Sequence, residues 1–263
     1  MRAPRILLVN DDGISAPGIS LLESVARELS DDVWVVAPSA DRSGAASSVT
    51  LALPVRLEQV DDRHIAVSGS PTDCLVLAVS ELLDRPPDLV LSGINRGANL
   101  GVDTRYSGTC AVAQEAAKEG IRAIALSQDF VRGEEVPWDT AREYALPTIR
   151  QLLELDPGDL SWNVNFPSVP AAEVKGIKVT HLGARTTKPF EISHRLDPSG
   201  RDYYWLRYTR HEEAAGEAET DLAASVAGYV SVTPIPLRSR PDAELATARG
   251  AFGLAQTAGG VQA

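Results

Sequence analysis

The chain has 263 residues, 44% of them hydrophobic, and a formal net charge of −11. That length supports one large domain, or one domain with an appendage, around a substantial core. The acidic balance argues against a nucleic-acid partner held by a basic surface, whereas a small phosphorylated substrate remains open because a bound cation can reverse the field at one site.

In chain order, Ile6–Val9 is an apolar run closed by Asn-Asp-Asp-Gly, which predicts a buried strand and a turn. Ile19–Leu29 spaces its apolar residues as a helix does. Val33–Ala37 is a second β-rich run, ending at Pro38 and the polar loop ADRSG. HIAVSGSPTDC reads as a short strand and a turn, followed by a helix over Thr72–Leu83 capped by Ser70 or Thr72. Leu89–Leu91 predicts a strand running into a Gly/Asn loop, SGINRGANLG. A helix begins at Ser107 or Gly108, IRAIALS is the next strand, and Thr140–Leu153 is a helix with a kink expected at Pro147. Strands alternating with helices of this length predict an α/β fold, a mostly parallel sheet with helices on both faces. In such sheets ligands bind beyond the carboxyl ends of the strands, and the unusual loops after Val9, Ala37 and Leu91 all fall there.

Beyond WNVNFPSVP the texture changes. Pro167 and Pro170 interrupt the pattern and Ile177–Leu182 reads as a strand. ISHRLDPSGRDYYWLRYTR predicts a hairpin arm about a Pro-Ser-Gly turn, with Tyr203, Tyr204, Trp205 and Tyr208 grouped and in need of cover. Thr220–Gly228 reads as a short helix and Tyr229–Thr233 as a final strand. The Ala/Gly-rich tail predicts a short helix followed by disorder. Three segments of one domain result: a core over 1–170, strands and an oligomerisation arm over 171–237, and a tail over 238–263. Two cysteines, Cys74 and Cys110, indicate a reducing compartment. The first apolar run is too short for a signal peptide and none is long enough to span a bilayer, so a cytoplasmic location without a membrane partner is expected.

The loops hold a particular chemistry. Asp11 and Asp12 supply carboxylates, Ser43 a hydroxyl and Asn95 an amide carbonyl. All are oxygen donors, which suit a hard divalent cation such as Mg²⁺ or Mn²⁺. The four histidines lie outside these loops, which argues against a His/Cys zinc site. Two readings of Asp-Asp-Gly stand side by side: a cation site, or a turn in which one aspartate caps the backbone. YSGT precedes a helix, where exposed amides suit a phosphate, although ordinary N-capping by Ser107 explains the same residues. SGINRGANLG is open in the same way, as a ligand loop or as a plain turn. No GxxxxGK[ST] and no GxGxxG after the first strand is present.

NDDG, APSADRSG, GSPTDC, SGINRGANLG, YSGT, NVNFP and GYVSVTP occur in this order from about Ile6 to about Pro236. In that order the set resembles the SurE family, the survival-protein E nucleotidases. The resemblance implies a Rossmann-like core and a 5′/3′-nucleotidase. Such an enzyme hydrolyses nucleoside 5′- and 3′-monophosphates, with short polyphosphate as a further substrate. It implies one divalent cation per subunit, Mg²⁺ or Mn²⁺, on Asp11, Asp12, Ser43 and Asn95. It places Asn99, Ser107, Gly108 and Thr109 on the phosphate side, and it implies a carboxyl-terminal arm exchanged within a homo-dimer or tetramer. Asp11, Asp12 and Ser107 are the expected catalytic residues, with Asp12 as base. No stable nucleic-acid partner is expected. A haloacid-dehalogenase phosphatase needs a DxD start, and position 13 is Gly. A non-catalytic nucleotide-binding regulator is the rival from another class.

Overall fold

The first strand, Ile6–Val9 (β1), shows why the architecture follows from the sequence. All four side chains are buried, Ile6 and Leu8 in the core on one side of the sheet, Leu7 and Val9 in the core on the other. A strand buried on both faces is apolar at every position, as central parallel strands are. The computed structural model describes residues 3–156, 158–184, 190–208, 218–238 and 242–252.

After β1 come Pro17–Arg27 (α1), Val33–Pro38 (β2), Leu57–Gln59 (β3), His64–Val67 (β4) and Pro71–Leu77 (α2). Leu89–Arg96 (β5), Gly108–Lys118 (α3), Arg122–Gln128 (β6), Trp138–Leu153 (α4) and Leu160–Phe166 (β7) complete the alternating part. Ile177–Val179 (β8), Phe190–Leu196 (β9), Asp202–Tyr208 (β10), Asp221–Val226 (α5), Val230–Pro236 (β11) and Asp242–Ala251 (α6) follow. Nine strands form one sheet in the order β3-β4-β2-β1-β5-β6-β7-β11-β8, and β9 and β10 form a separate antiparallel hairpin. Pairing is parallel from β4 through β7, while β3 runs antiparallel to β4 and β11 antiparallel to β7. α1 and α4 cover the face that carries Ile6 and Leu8, and α2 and α3 cover the other. Gly18 lets α1 cross β5 so closely that any side chain there would overlap the Ile94 carbonyl. β1 lies between β2 and β5, so successive connections leave it in opposite directions and open a crevice at its carboxyl end.

Several elements differ from the sequence expectation. β5 runs on through Arg96 rather than ending at Leu91. A register shift after Ser92 lets Asn95 pair with Ser127 and Arg96 with Gln128, so Asn95 stands on a strand end and not in a loop. α2 starts at Pro71 with Ser70 as N-cap: Ser70 Oγ accepts the Asp73 N–H and the Asp73 carboxylate accepts the Ser70 N–H. Its continuation, Ala78–Leu82, is a π-helical turn. β3 is an exposed edge strand without an apolar pattern to announce it. β8 is shorter than expected, and a 3₁₀ turn over Gly101–Tyr106 precedes α3. α4 continues through Pro147, and the tail helix is α6. The expected disorder of the last residues, and the end of the arm at Thr209 and Arg210, lie outside the described residues. Among the described residues no helix is long and apolar enough to cross a membrane.

Candidate active site

A cavity of about 580 Å³ opens at the carboxyl ends of β1, β5 and β6. Asp11, Ser43, Asn95, Asn99 and Ser107 all line it. Asp12 lines a neighbouring cavity of about 370 Å³, and Arg96 borders both. Two backbone contacts hold the loops together. The Asp11 carbonyl accepts the Arg42 N–H at 2.7 Å, which sets the Ser43 loop beside β1. The Asp12 carboxylate accepts the Arg96 N–H at 2.9 Å, which sets the end of β5 on its other side. Asn10, fully buried, closes the turn from within by donating to the Gly13 carbonyl and accepting the Gly13 N–H.

Asp11 is buried against the start of α3. Its Oδ1 accepts the Thr109 hydroxyl at 2.6 Å, and a Cβ on Gly108 would lie 2.9 Å from the Asp11 Cβ. Glycine at 108 is therefore what allows helix and carboxylate to meet. Burial raises the Asp11 carboxyl above its ordinary range, against the hydrogen bonds from Thr109 and the backbone. Burial likewise pushes Asp12 up to about 6; the Arg96 N–H pulls it back, and the charge of Asp11 adds repulsion. Among the described residues no lysine, arginine or histidine forms an ion pair with either carboxylate. The buried Asp11 and the half-buried Asp12 repel each other, and the Arg96 charge offsets this only in part, so the arrangement is one that a bound cation would relieve.

The neutral donors are fixed by their neighbours. Asn95 Nδ2 donates to the Gly97 carbonyl at 2.7 Å, so Oδ1 is the atom with which it could hold a cation. Ser43 Oγ donates to Asp41 at 2.6 Å and keeps its lone pairs. The four oxygen donors fit a hard divalent ion, and among the described residues no group of three or more His, Cys, Asp or Glu is placed to hold a metal.

Of the residues expected to hold phosphate, Ser107 is the N-cap of α3, its Oγ accepting the Cys110 N–H at 3.0 Å. Asn99 lines the cavity, with its side-chain nitrogen donating to Ser127 Oγ at 2.8 Å. Gly108 and Thr109 sit behind the cavity wall, where the Thr109 hydroxyl serves Asp11.

Sequence reasoning missed the other half of the cavity. Phe130, Tyr106, Phe190, Leu206 and Val226 make an apolar wall opposite the oxygen donors. The Arg96 guanidinium lies 4.6 Å over the Phe130 ring, and Tyr106 meets Phe190 edge-on at 5.5 Å. Phe190 and Leu206 come from the base of the arm. Asp103 and Asp129 add two carboxylates to the lining. Local patterning carried no signal for these long-range meetings, apart from the exposed aromatics of the arm.

The survival protein SurE family profile matches residues 6–189. A protein named 5′-nucleotidase SurE from Brucella anthropi is 46% identical over 253 residues, covering 94% of this chain and 97% of its own. One named 5′-nucleotidase SurE 1 from Burkholderia lata is 45% identical, covering 95% of this chain and 96% of its own. The crystal structure of the SurE protein from Aquifex aeolicus superposes with a TM-score of 0.80 at 36% identity, over 95% of this chain and all of that one. With the ordered motifs and the α/β sheet in agreement, this chain belongs to the survival protein SurE family.

Proposed function

We propose that this protein is a divalent-metal-dependent phosphomonoesterase that converts nucleoside 5′- and 3′-monophosphates to nucleoside and phosphate, with short polyphosphate as a lesser substrate. The observation that carries the reading is the buried Asp11 beside the half-buried Asp12, with Asp11 lining a cavity that also holds Ser107 at a helix N-terminus. The nucleotidase names of the Brucella and Burkholderia relatives support it.

Asp11, Asp12, Ser43 and Asn95 hold one Mg²⁺ or Mn²⁺. When bound, such an ion neutralises phosphate charge and lowers the pKa of a coordinated water. The remaining work falls to the chain. Phosphoryl transfer passes through a loose transition state, so positioning and charge stabilisation dominate. Ser107 uses its oxygen to accept from Cys110, which leaves its hydroxyl hydrogen for a phosphate oxygen. The side chain of Asn99, which also lines the cavity, completes the phosphate contacts. Asp12, beside Asp11 at the end of β1, is the residue assigned to accept the proton of the attacking water. The apolar wall of Phe130, Tyr106 and Phe190 offers a face for a base without a set of donors and acceptors to read it, which favours several bases over one.

The arm exposes Tyr204, Trp205, Leu206 and Ile192, each more than half accessible, and we assign it to a homo-dimer or tetramer contact. Both cysteines are free and buried, in keeping with a reducing, cytoplasmic setting.

The test compares kcat/KM for 5′-AMP, 3′-AMP, 5′-GMP, a cyclic nucleotide and a single-stranded oligonucleotide, with Mn²⁺, Mg²⁺ and chelator. Monophosphates hydrolysed only with metal are the expected result. A cyclic nucleotide or oligonucleotide as best substrate, or full turnover after demetallation, overturns the reading.

A further inference from the structure

The NVNFP stretch places Asn163 and Asn165 on one face of β7, two residues apart in a strand whose Val164 and Phe166 enter the apolar core. Both asparagines are fully buried, and neither lines the cavity. Buried amides persist when their hydrogen bonds are made, and here the partners are specific. Asn165 grips Asn99 at two points: its Oδ1 accepts the Asn99 N–H at 2.8 Å and its Nδ2 donates to the Asn99 carbonyl at 3.0 Å. The backbone partners settle which end of the amide is which. A neighbouring strand would make the same pair of bonds; here a side chain makes them. A neutral primary amide supplies both the donor and the acceptor, whereas an ionised carboxylate supplies acceptors alone.

Asn163 donates from Nδ2 to the same Asn99 carbonyl at 2.8 Å, and its Oδ1 accepts the Cys110 thiol at 3.5 Å. Cys110 stands in the first turn of α3, where its N–H meets Ser107 Oγ. Burial pushes the Cys110 thiol up to about 12, so it keeps the hydrogen it donates. One strand thus reaches both segments of the phosphate side: the Asn99 turn and the capped start of α3.

We propose that Asn163 and Asn165 are positioning residues that set the Asn99 turn against the N-terminus of α3, so that Asn99 and Ser107 converge on one phosphoryl group. The proposal rests on the phosphatase reading above. It separates two functions in space: cation binding on the loops after β1 and β2 and at the end of β5, and phosphate alignment governed from β7.

The experiment uses the full chain and the variants N165D, N165L and N163D. Four quantities are measured: inorganic phosphate affinity by calorimetry with Mn²⁺ present, Mn²⁺ affinity alone, the melting temperature, and kcat and KM for 5′-AMP. In N165D at pH 8 the carboxylate faces the Asn99 carbonyl. Phosphate affinity and kcat/KM are expected to fall about 10- to 100-fold, the scale of an ångström-level misplacement. Mn²⁺ affinity should stay within about threefold of the parent, a margin set by how slightly distant changes perturb an intact ligand set. As pH is lowered the neutral acid regains a donor, so the N165D-to-parent activity ratio should climb while that of N165L stays flat. N163D, which keeps the acceptor for Cys110 and loses the donor to Asn99, repeats the loss should N165D not fold. Parent-like phosphate binding and turnover in N165D and N163D overturn the proposal. So does a loss of Mn²⁺ binding and melting temperature in step with activity, which marks a purely structural role. A parent chain that binds phosphate yet leaves 5′-AMP intact overturns the phosphatase reading instead, while the phosphate affinities still decide the proposal.

Discussion

The Asp221 carboxylate reaches 120 residues back along the chain to accept the Gly101 N–H at 2.7 Å. Its other oxygen accepts the N–H groups of Gly183 at 2.8 Å and Leu222 at 2.9 Å. Asp221 is fully buried, and burial raises its carboxyl above the ordinary range despite these bonds. The segment it holds leads from Asn99 through the 3₁₀ turn to Ser107. The carboxyl-terminal third of the chain therefore anchors the Asn99–Ser107 segment of the cavity as well as finishing the sheet.

Replacing Asp221 with Ala orphans three buried N–H groups. Each buried donor left unpaired costs on the order of 1–3 kcal/mol, so a loss of about 3 kcal/mol or more is expected, offset in part by removing a buried charge. Asp221→Asn keeps one acceptor and should cost less. Urea denaturation of both variants measures the order. A stability loss for Asp221→Ala below about 1 kcal/mol would show the clamp to be dispensable.

Asp11→Asn preserves shape and the Thr109 contact while removing one of the two charges assigned to the proposed cation. Mn²⁺ affinity and turnover should both drop by about 100-fold or more, beyond the 10- to 100-fold typical of changes one shell further out. Folding should persist or improve, because burial already penalises the Asp11 charge. Survival of metal binding and turnover would make Asp11 a turn residue.

Ser107 has one role in the structure, as N-cap of α3, and one in the proposed reaction, and one substitution can separate them. As N-cap it is worth about 0.5–2 kcal/mol of stability. As a donor to a phosphate oxygen it is worth about 10²–10³ in rate by analogy with preorganised oxyanion donors. Ser107→Asp keeps a capping oxygen and places a charge against the phosphate, so stability should hold while kcat/KM collapses. Ser107→Ala should lose both. A rate change of a few-fold in each variant would reduce Ser107 to a helix cap.

How far the sequence carried depended on whether a feature was local. β1, with Ile6 and Leu8 to one core and Leu7 and Val9 to the other, announced itself because a doubly buried strand is apolar throughout. The oxygen donors Asp11, Ser43 and Asn95 were visible as chemistry in loops, and the fold lines them along one cavity. Asn95 was mistaken for a loop residue because the register shift after Ser92, which lets β5 resume against β6, leaves no mark on composition. The service of Thr109 to Asp11 depends on a contact across 98 residues that no periodicity encodes. The apolar wall from Phe190 and Leu206 escaped for the same reason. Asn163 and Asn165 did carry a signal, two amides alternating with apolar residues in a strand, but their partner became apparent only once Asn99 lay against them.

His64 gives a pH test independent of catalysis. Its ring pairs with Glu23 at 3.0 Å and with Asp61 at 2.8 Å, joining β4 to α1. Burial lowers its pKa, and the two carboxylates more than reverse that, so the folded value is raised. The stability it contributes is therefore fully present below its unfolded pKa of about 6.5 and is lost as pH rises through the folded value. The stability gap between the parent and His64→Gln should be widest near pH 6 and narrow as pH rises, with an amplitude of about 1 kcal/mol for a partly exposed pair. A gap that widens toward pH 9 contradicts the assignment.

In the proposed oligomer the arm would join assembly to the cavity. Along β9 and β10, Tyr204 pairs with His194 and Leu206 with Ile192, whereas Trp205 pairs with Ser193 and Tyr203 with Arg195. Alternation puts the first set on one face of the hairpin and the second on the other. Trp205 is 64% accessible in the isolated chain, and an exposed aromatic strip of this kind marks a contact between proteins. Phe190 and Leu206, nearer the base, belong to the cavity wall. Substitutions at the two places should therefore separate. Trp205→Ser with Tyr203→Ser should shift the sedimenting species toward monomer, whereas Phe190→Ala should raise KM for a nucleoside monophosphate while sparing a small phosphomonoester that lacks a base. Sedimentation velocity at micromolar concentration and a paired KM measurement supply both readings. A parent chain that sediments as a monomer removes the assembly role of the arm, and equal KM changes for both substrates remove its contact with the base.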